Sequence, residues 1–239
     1  MRRLLLLLAP ALLVIGCGAE RPDEVAESGS RSAATPSPTS TPTSTPALPA
    51  GPLAAFPLDL GYAEENGDDS TPVLVTDQPG LHRLDYCGRL AWDPRAGTTD
   101  LIGVEFRGEA EWARGRTLVR YPTVEAATEV IESARAAVEA CHEEPLEDDY
   151  DYVAVHTVQD GLRLGDQSLG WTDTGGFRQD DEIQFDTGLT VYHLVRVGRA
   201  VLGSYEYGEG NSGPDSPAID DAIEADLPVV DRMSELSGS

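Results

Sequence analysis

The chain has 239 residues, with 17 Lys+Arg against 42 Asp+Glu and a formal net charge of -25. All of the cations are arginine, and there is no lysine. This balance argues against a nucleic-acid-binding protein, because contacts to phosphates require a basic surface. Without lysine, the chain also has neither a Walker-type phosphate loop nor the lysine of a kinase ATP site. The length suits one domain with shorter additional segments.

Residues 1–16 have the pattern of a signal peptide. Arg2 and Arg3 precede the apolar run 4–15, which at about 1.5 Å per residue is too short to cross a bilayer core of about 30 Å. The run ends in Val-Ile-Gly-Cys, which resembles the lipobox of bacterial lipoproteins. That resemblance implies cleavage before Cys17 and attachment of diacylglycerol and a further acyl chain, such as palmitate, to this cysteine. An ordinary secretory signal with a chance cysteine is the alternative.

Residues 17–52 are predicted to form a lipid-anchored, disordered linker. Residues 28–49 are mostly Ser, Thr, Pro and Ala, and they have almost no large apolar side chain that could offset the entropy of ordering. The prolines of the linker favour extended polyproline II, in which about 34 residues at about 3.1 Å each would reach roughly 100 Å. We therefore expect a stalk that lifts the remaining chain off a membrane. A spacer of no particular length would behave in almost the same way.

Residues 53–239 are expected to form one globular domain, because no second linker of similar composition follows. Two cysteines lie in this part, Cys87 and Cys141. Outside the cytoplasm, such a pair most simply forms a disulfide. A metal-binding pair and a reactive thiol are the alternatives, although no Cys-x-x-Cys motif is present.

A helix is predicted from Val124 to Cys141. Thr123 is a candidate for its N-cap. An apolar stripe at spacings of three and four places Cys141 at the helix end on the buried face. A disulfide to Cys87 would then fasten the helix to the segment that contains Leu84. The stripe consists of Val124, Ala127, Ile131, Ala134, Val138 and Cys141.

Runs rich in β-branched, aromatic and aliphatic residues predict strands before and after this helix. Gly198-Arg199 fits a type II′ hairpin turn, with Val197 opposite Ala200. The predicted fold class is therefore α+β, an antiparallel β-sheet packed by two main helices, in a single domain after a disordered tether. The predicted strands are 101–106, 116–121, 152–158, 190–197 and 200–207.

The second helix is predicted to start at Ser216-Pro217, an N-cap followed by proline at the first helical position. Apolar residues at helical spacing continue the pattern to Leu227 and beyond. Pro228 should kink or split this helix, because proline cannot donate a backbone hydrogen bond inside a helix.

The order of these features resembles a known domain. Tyr121 ends a strand, the Ala-rich helix 123–140 closes with Cys141, and Leu-Val-Arg-Val-Gly at 194–198 precedes a final strand and helix. This order is similar to the extracellular sensor domain of mycobacterial PknH-type serine/threonine kinases, which is also found in free-standing actinobacterial lipoproteins. The resemblance covers residues 85–236. It implies an antiparallel sheet with helices and a ligand-binding groove, and it implies no catalytic residues.

Two features depart from that family. The hairpin turn has Arg199 where the family usually has Asn, and this domain has cysteines for one disulfide where family members often have two. The first departure matters little, because arginine can occupy the second turn position. The second bears on the detailed shape of the groove.

We find no motif for a catalytic, cofactor or metal site. Ser168 lacks the Gly-x-Ser-x-Gly spacing, and the glycines at 208, 210 and 213 precede Pro214, which favours a loop over a nucleotide site. The acidic run 143–151 offers oxygen ligands for Ca²⁺, but the EF-hand spacing is absent and mutual repulsion favours a solvated loop. Four histidines are each expected to be packed or on the surface rather than ligands, namely His82, His142, His156 and His193.

These observations predict a non-enzymatic, lipid-anchored binding or sensor-like domain on the extracytoplasmic face of the cell membrane. Its expected partners are the membrane, through the anchor at Cys17, and an unidentified small-molecule or envelope-protein ligand. Neither a nucleic acid nor a cofactor is expected to bind. Residues 53–239 carry nearly all of the negative charge, which favours neutral or cationic ligands. A cell-envelope hydrolase with an unrecognised site and a structural protein-interaction module are the alternatives.

Overall fold

The computed structural model describes residues 53–61, 75–107, 112–146, 151–159, 163–180, 182–209 and 218–238. The predicted signal peptide and linker, with Cys17, lie outside these ranges. The elements in chain order are β1 (Leu84–Tyr86), β2 (Arg89–Trp92), β3 (Asp100–Arg107), β4 (Ala113–Arg120), α1 (Val124–Glu139), β5 (Glu143–Pro145), β6 (Tyr152–Gln159), β7 (Gln167–Gln179), β8 (Glu182–Val197), β9 (Ala200–Glu209), α2 (Ala218–Glu224), α3 (Leu227–Met233) and a 3₁₀ helix (Ser234–Gly238).

Two antiparallel sheets account for all nine of these strands. The larger sheet has seven strands in the order β3-β4-β9-β8-β7-β6-β5, and the smaller one pairs β1 with β2. The predicted α+β class with an antiparallel sheet is therefore confirmed. Within the residues that the structure describes, none of the helices combines the length and apolar character that a membrane span requires.

The large sheet is covered on both faces. Side chains of successive strand residues point to opposite faces, so Val119 and Leu194 pack on one side while Leu118 and Val195 pack on the other. The first face is covered by α1 and the β1–β2 hairpin, and the second by α2, α3 and residues 53–61. This arrangement creates two separate apolar cores, one on each face of the sheet.

Helix α1 begins where the sequence predicts. The Thr123 hydroxyl accepts a hydrogen bond from the Ala126 backbone N–H at 3.2 Å, as expected of an N-cap. The helix ends at Glu139, so Cys141 lies just beyond it rather than within it, although Cys141 is buried as predicted. Val124 is 45% exposed, so its place in the buried stripe was wrong. Side chains in a helix tilt towards its N-terminus, which directs the first residue past the covered face.

The predicted β8–β9 hairpin is confirmed. Val197 lies opposite Ala200, and Gly198 has a positive φ of 58°, the conformation that the first position of a type II′ turn requires. Strand β8 begins earlier than predicted, at Glu182, and it pairs along much of its length with β7, which the sequence analysis missed. The segment that forms β7 contains three glycines and an aspartate, residues that are depleted in strands.

The predicted second helix is split into α2 and α3. Asp226 lies at the junction between them, and Pro228 lies in the first turn of α3, where its missing N–H breaks no helical hydrogen bond. The proposed start at Ser216-Pro217 lies outside the described residues.

The acidic run begins as an edge strand and not as a solvated loop. Glu143 pairs with Val155 and Glu144 with Ala154, so β5 extends the large sheet. The Arg178 side chain forms a salt bridge with Glu143, which reduces the repulsion between the neighbouring acids. The loop prediction was therefore wrong for 143–145, and residues 147–150 lie outside the described ranges.

Candidate functional site

A groove runs between the first half of α1 and the strand β2 with the loop after it. Its volume is about 390 Å³, within the range of about 300–1,000 Å³ that is typical of small-molecule pockets. Most of its walls are apolar, and two carboxylates, Asp93 and Glu129, are among the lining residues. The larger apolar and aromatic residues of the groove are Leu90, Trp92, Tyr121, Pro122 and Val130.

Tyr121 supplies a buried polar group at this groove. Its hydroxyl has no hydrogen-bond partner among the described residues. Burial, with a smaller contribution from the negative charge of Asp93, raises the pKa of this hydroxyl above its ordinary value. The group therefore remains a neutral donor. Leaving a buried hydroxyl unpaired costs about 1–3 kcal/mol.

A buried polar cluster lies on the other face of the sheet, beneath α2 and α3. Arg116 of β4 lies opposite Ser204 of β9, and Ser204 lies opposite His193 of β8, so the three form a row across adjacent strands. Asp226 meets all three. Its Oδ1 accepts a hydrogen bond from Arg116 Nε at 2.9 Å, and its Oδ2 lies 3.1 Å from His193 Nδ1 and accepts from the Ser204 hydroxyl.

The guanidinium of Arg116 connects three segments of the chain. Beyond Asp226, it donates to the backbone oxygens of Leu58 at 3.2 Å, Leu60 at 2.6 Å and Ala225 at 2.5 Å. Burial of Asp226 would raise the pKa of its carboxyl. The hydrogen bonds from His193 and Ser204, with the charge of Arg116, outweigh that effect and hold the pKa below its ordinary value. The cluster therefore contains an ion pair that fastens the α2–α3 junction and residues 53–61 to the sheet.

This cluster contains serine, histidine and aspartate, but its geometry is not that of a nucleophile with its base. The Ser204 hydroxyl donates to Asp226 and not to His193, whereas a catalytic serine must give its proton to the base. The cavity beside the cluster measures about 10 Å³, which is room for about one water molecule. His193 lines this cavity, and its buried Nε2 has no hydrogen-bond partner among the described residues. The arrangement of these side chains supports a structural role for the cluster, which is to hold the α2–α3 junction on the sheet.

A second polar network lies on the α1 face, next to the disulfide. Cys87 and Cys141 are joined with their Cα atoms 5.7 Å apart. The bridge links the end of β1 to the end of α1. Tyr86, the residue before Cys87, donates a hydrogen bond to Asp173 at 3.0 Å and accepts one from Trp171 at 2.7 Å. The bridge and this network therefore anchor the small sheet to the large one.

Asp173 and His156 face each other across β6 and β7. His156 Nδ1 lies 2.7 Å from the Asp173 carboxylate. Burial raises the pKa of Asp173, and the hydrogen bonds from His156 and Tyr86 oppose that rise only in part. On its other side, His156 Nε2 lies 3.9 Å from a carboxylate oxygen of Glu144 and has no hydrogen-bond partner among the described residues.

Only part of these sites could be located from the sequence. His156 and His193 are packed within the sheet, and His82 and His142 are exposed. Their carboxylate partners were missed, because each pair joins separate segments of the chain. One signal was available, since His193 alternates with the apolar Val191 and Val195 on one face of β8, which places it inside the core. Gly208 lies in β9, and the later glycines of that motif lie outside the described residues.

No family model matches the chain, and no curated protein matches its sequence. Among solved structures, the extracellular domain of PknH from Mycobacterium tuberculosis is similar, with a TM-score of 0.46 and 10% sequence identity. The similarity covers 73% of this chain and 90% of that chain.

Proposed function

We propose that the chain is a non-enzymatic, sensor-like binding domain that is held outside the cytoplasm by a lipid on Cys17. The groove between α1 and β2 is its ligand site. The observation that carries this proposal is the combination of mostly apolar walls with two carboxylates, Asp93 and Glu129, in a groove of about 390 Å³. Pockets for small molecules commonly combine an apolar lining with a few placed polar groups.

The groove favours a ligand with an apolar body and a neutral or cationic polar group. Asp93 and Glu129 lie among the lining residues, and the whole chain carries a net charge of -25. An anionic ligand would be repelled both at the groove and at longer range.

A substitution that fills the groove tests this assignment. Ala126 lines the groove on α1, whereas Ala136 is exposed on the same helix and does not line it. With octyltrimethylammonium as the probe, calorimetry of the wild type should show saturable 1:1 binding, and Ala126→Trp should weaken that binding at least tenfold. Ala136→Trp should bind as the wild type does. Octyl sulfate, with the same chain and the opposite charge, should bind more weakly.

Equal binding by Ala126→Trp and Ala136→Trp would place the probe elsewhere and reject the groove as the site. Thermal unfolding of both variants checks that they are folded before titration. Preference for octyl sulfate would contradict the assigned role of Asp93 and Glu129.

The anchor has a separate test. A labelled fatty acid fed to a bacterial host should tag the wild-type chain and should leave Cys17→Ala unlabelled, because only the thiol can form the thioether. Ser28→Ala, a change in the linker, should be labelled normally. Wild-type protein should sediment with membranes. Label on Cys17→Ala equal to that on the wild type would contradict lipidation at this residue.

The disulfide supports an extracytoplasmic location, since such bonds persist mainly in oxidising compartments. The alternative of an envelope hydrolase has less support. In the part of the chain that the structure describes, the serine of the Asp226 cluster donates its hydroxyl to the carboxylate and not to the histidine, and the cavity that the histidine lines measures about 10 Å³.

A further inference from the structure

Metal-ligating groups surround the disulfide. The sulfur atoms of Cys87 and Cys141 and a carboxylate oxygen of Glu144 all lie within 4.8 Å of one another. The Cys87 backbone N–H donates to the same side chain at 3.2 Å, which holds the carboxylate beside the bridge. While the cysteines are oxidised, their sulfurs are poor ligands, because metals bind the thiolate. Reduction would place two thiolates next to a carboxylate.

His156 is a candidate fourth ligand beside Glu144, although its ring lies outside the group of three whose ligand atoms are all within 4.8 Å of one another. Its Nε2 is buried, lacks a hydrogen-bond partner among the described residues and lies 3.9 Å from the Glu144 carboxylate. Its Nδ1 is already held by Asp173 at 2.7 Å. Histidines that bind metals through one ring nitrogen usually donate the other N–H to a carboxylate in this way. The ring is thus oriented for a ligand that the oxidised protein does not provide.

We propose that reduction of the Cys87–Cys141 disulfide creates a Zn²⁺ site formed by the two thiolates and the Glu144 carboxylate, with His156 Nε2 as the fourth ligand once the released cysteine side chains turn towards it. Two thiolates with one imidazole and one carboxylate form a four-ligand set suited to zinc, and the thiolates favour zinc over calcium or magnesium. With Zn–S bonds of about 2.3 Å, tetrahedral geometry separates the sulfurs by about 3.8 Å. Rotation of the two cysteine side chains provides this separation, since the Cα atoms are 5.7 Å apart.

A tertiary phosphine gives two electrons to the S–S bond and takes the oxygen of one water molecule, while the two protons of that water complete the two thiols. Zn²⁺ then replaces both thiol protons, which are released to solvent. The two cysteines therefore have two exclusive states. They either form the covalent bridge or, together with Glu144 and His156, bind a metal ion. We expect bound Zn²⁺ to slow reoxidation of the two cysteines, because both sulfur atoms are then coordinated to the metal ion.

Cobalt is a suitable probe, since tetrahedral Co²⁺ bound to thiolates absorbs visible light. The full chain carrying Cys17→Ala leaves only Cys87 and Cys141 as thiol sources. After reduction by phosphine, this protein should bind one Co²⁺ per chain with a tetrahedral spectrum, and Zn²⁺ should displace it. The oxidised protein should show no such spectrum. Glu144→Gln and His156→Gln, in the reduced form, should each weaken binding at least tenfold.

His142→Gln and Glu139→Gln are matched controls, because they change the same residue types close to the bridge and outside the proposed ligand set. They should bind Co²⁺ as the parent does. Thermal unfolding of each oxidised variant shows whether it folds, and Glu144, whose side chain is 33% exposed, carries the test if His156→Gln does not fold. Reduced protein that binds no Co²⁺ would overturn the proposal. Binding that neither Glu144→Gln nor His156→Gln weakens would also overturn it.

Discussion

Replacement of Asp226 by asparagine should lower the free energy of unfolding by about 3–5 kcal/mol. Asp226 and Arg116 form an ion pair in which the two residues are 2% and 1% exposed, so neither charge is stabilised by water. Removing one partner leaves the other charge buried without its counter-ion, and this loss is much larger than that of a surface salt bridge. His193 and Ser204 would lose the carboxylate that binds both of them.

Denaturant unfolding at neutral pH measures this effect. Asp221→Asn makes the same chemical change at an exposed position on α2 and should shift the free energy of unfolding by no more than about 0.5 kcal/mol. If the two variants unfold at the same denaturant concentration, the buried pair does not have the role assigned to it.

The same variant should alter the pH dependence of stability. The pKa of Asp226 in the folded protein is held below its ordinary value, because its hydrogen bonds and Arg116 outweigh the effect of burial. The unfolded chain therefore takes up this proton first as the pH falls, and the stability contributed by the carboxylate is present above about pH 4 and is lost as the pH falls through the folded pKa. The stability difference between the wild type and Asp226→Asn should therefore shrink on acidification.

Local patterns predicted the elements that depend on local physics. The Thr123 cap and the periodic apolar residues sufficed for α1, and Gly198 sufficed for the β8–β9 turn, because each feature acts over a few residues. Strand β7 was missed because it does not depend on local physics in this way. Its β-propensity is poor, and it is held by pairing with β6 and β8 on both sides, which a single segment does not reveal.

The sites depend on pairing across the whole chain and could be predicted only in part. Arg116 and Asp226 are 110 positions apart, and Tyr86 and Asp173 are 87 apart. The alternation of β4 places Arg116 on the same face as Leu118, which predicts a buried cation in need of a partner, but nothing local identifies the acid. The groove is likewise assembled from β2, α1 and the residues between β4 and α1.

Removal of the disulfide should have the second large effect. The double variant Cys87→Ala/Cys141→Ala should lose about 4 kcal/mol of unfolding free energy, because the bridge closes a loop with a sequence separation of 54 and restricts the unfolded chain. Most of this loss arises in the unfolded state. The folded variant should therefore keep the groove and bind the octyltrimethylammonium probe with an affinity close to that of the wild type.

Denaturant unfolding with and without phosphine separates the bridge from other effects of the substitutions. In metal-free buffer, reduced wild type should unfold at nearly the same denaturant concentration as the double variant, and phosphine should leave the double variant unchanged. A double variant as stable as the oxidised wild type would contradict the prediction. A loss of probe binding in the folded double variant would instead show that the bridge shapes the native groove, since an effect confined to the unfolded chain cannot change the affinity of the folded one.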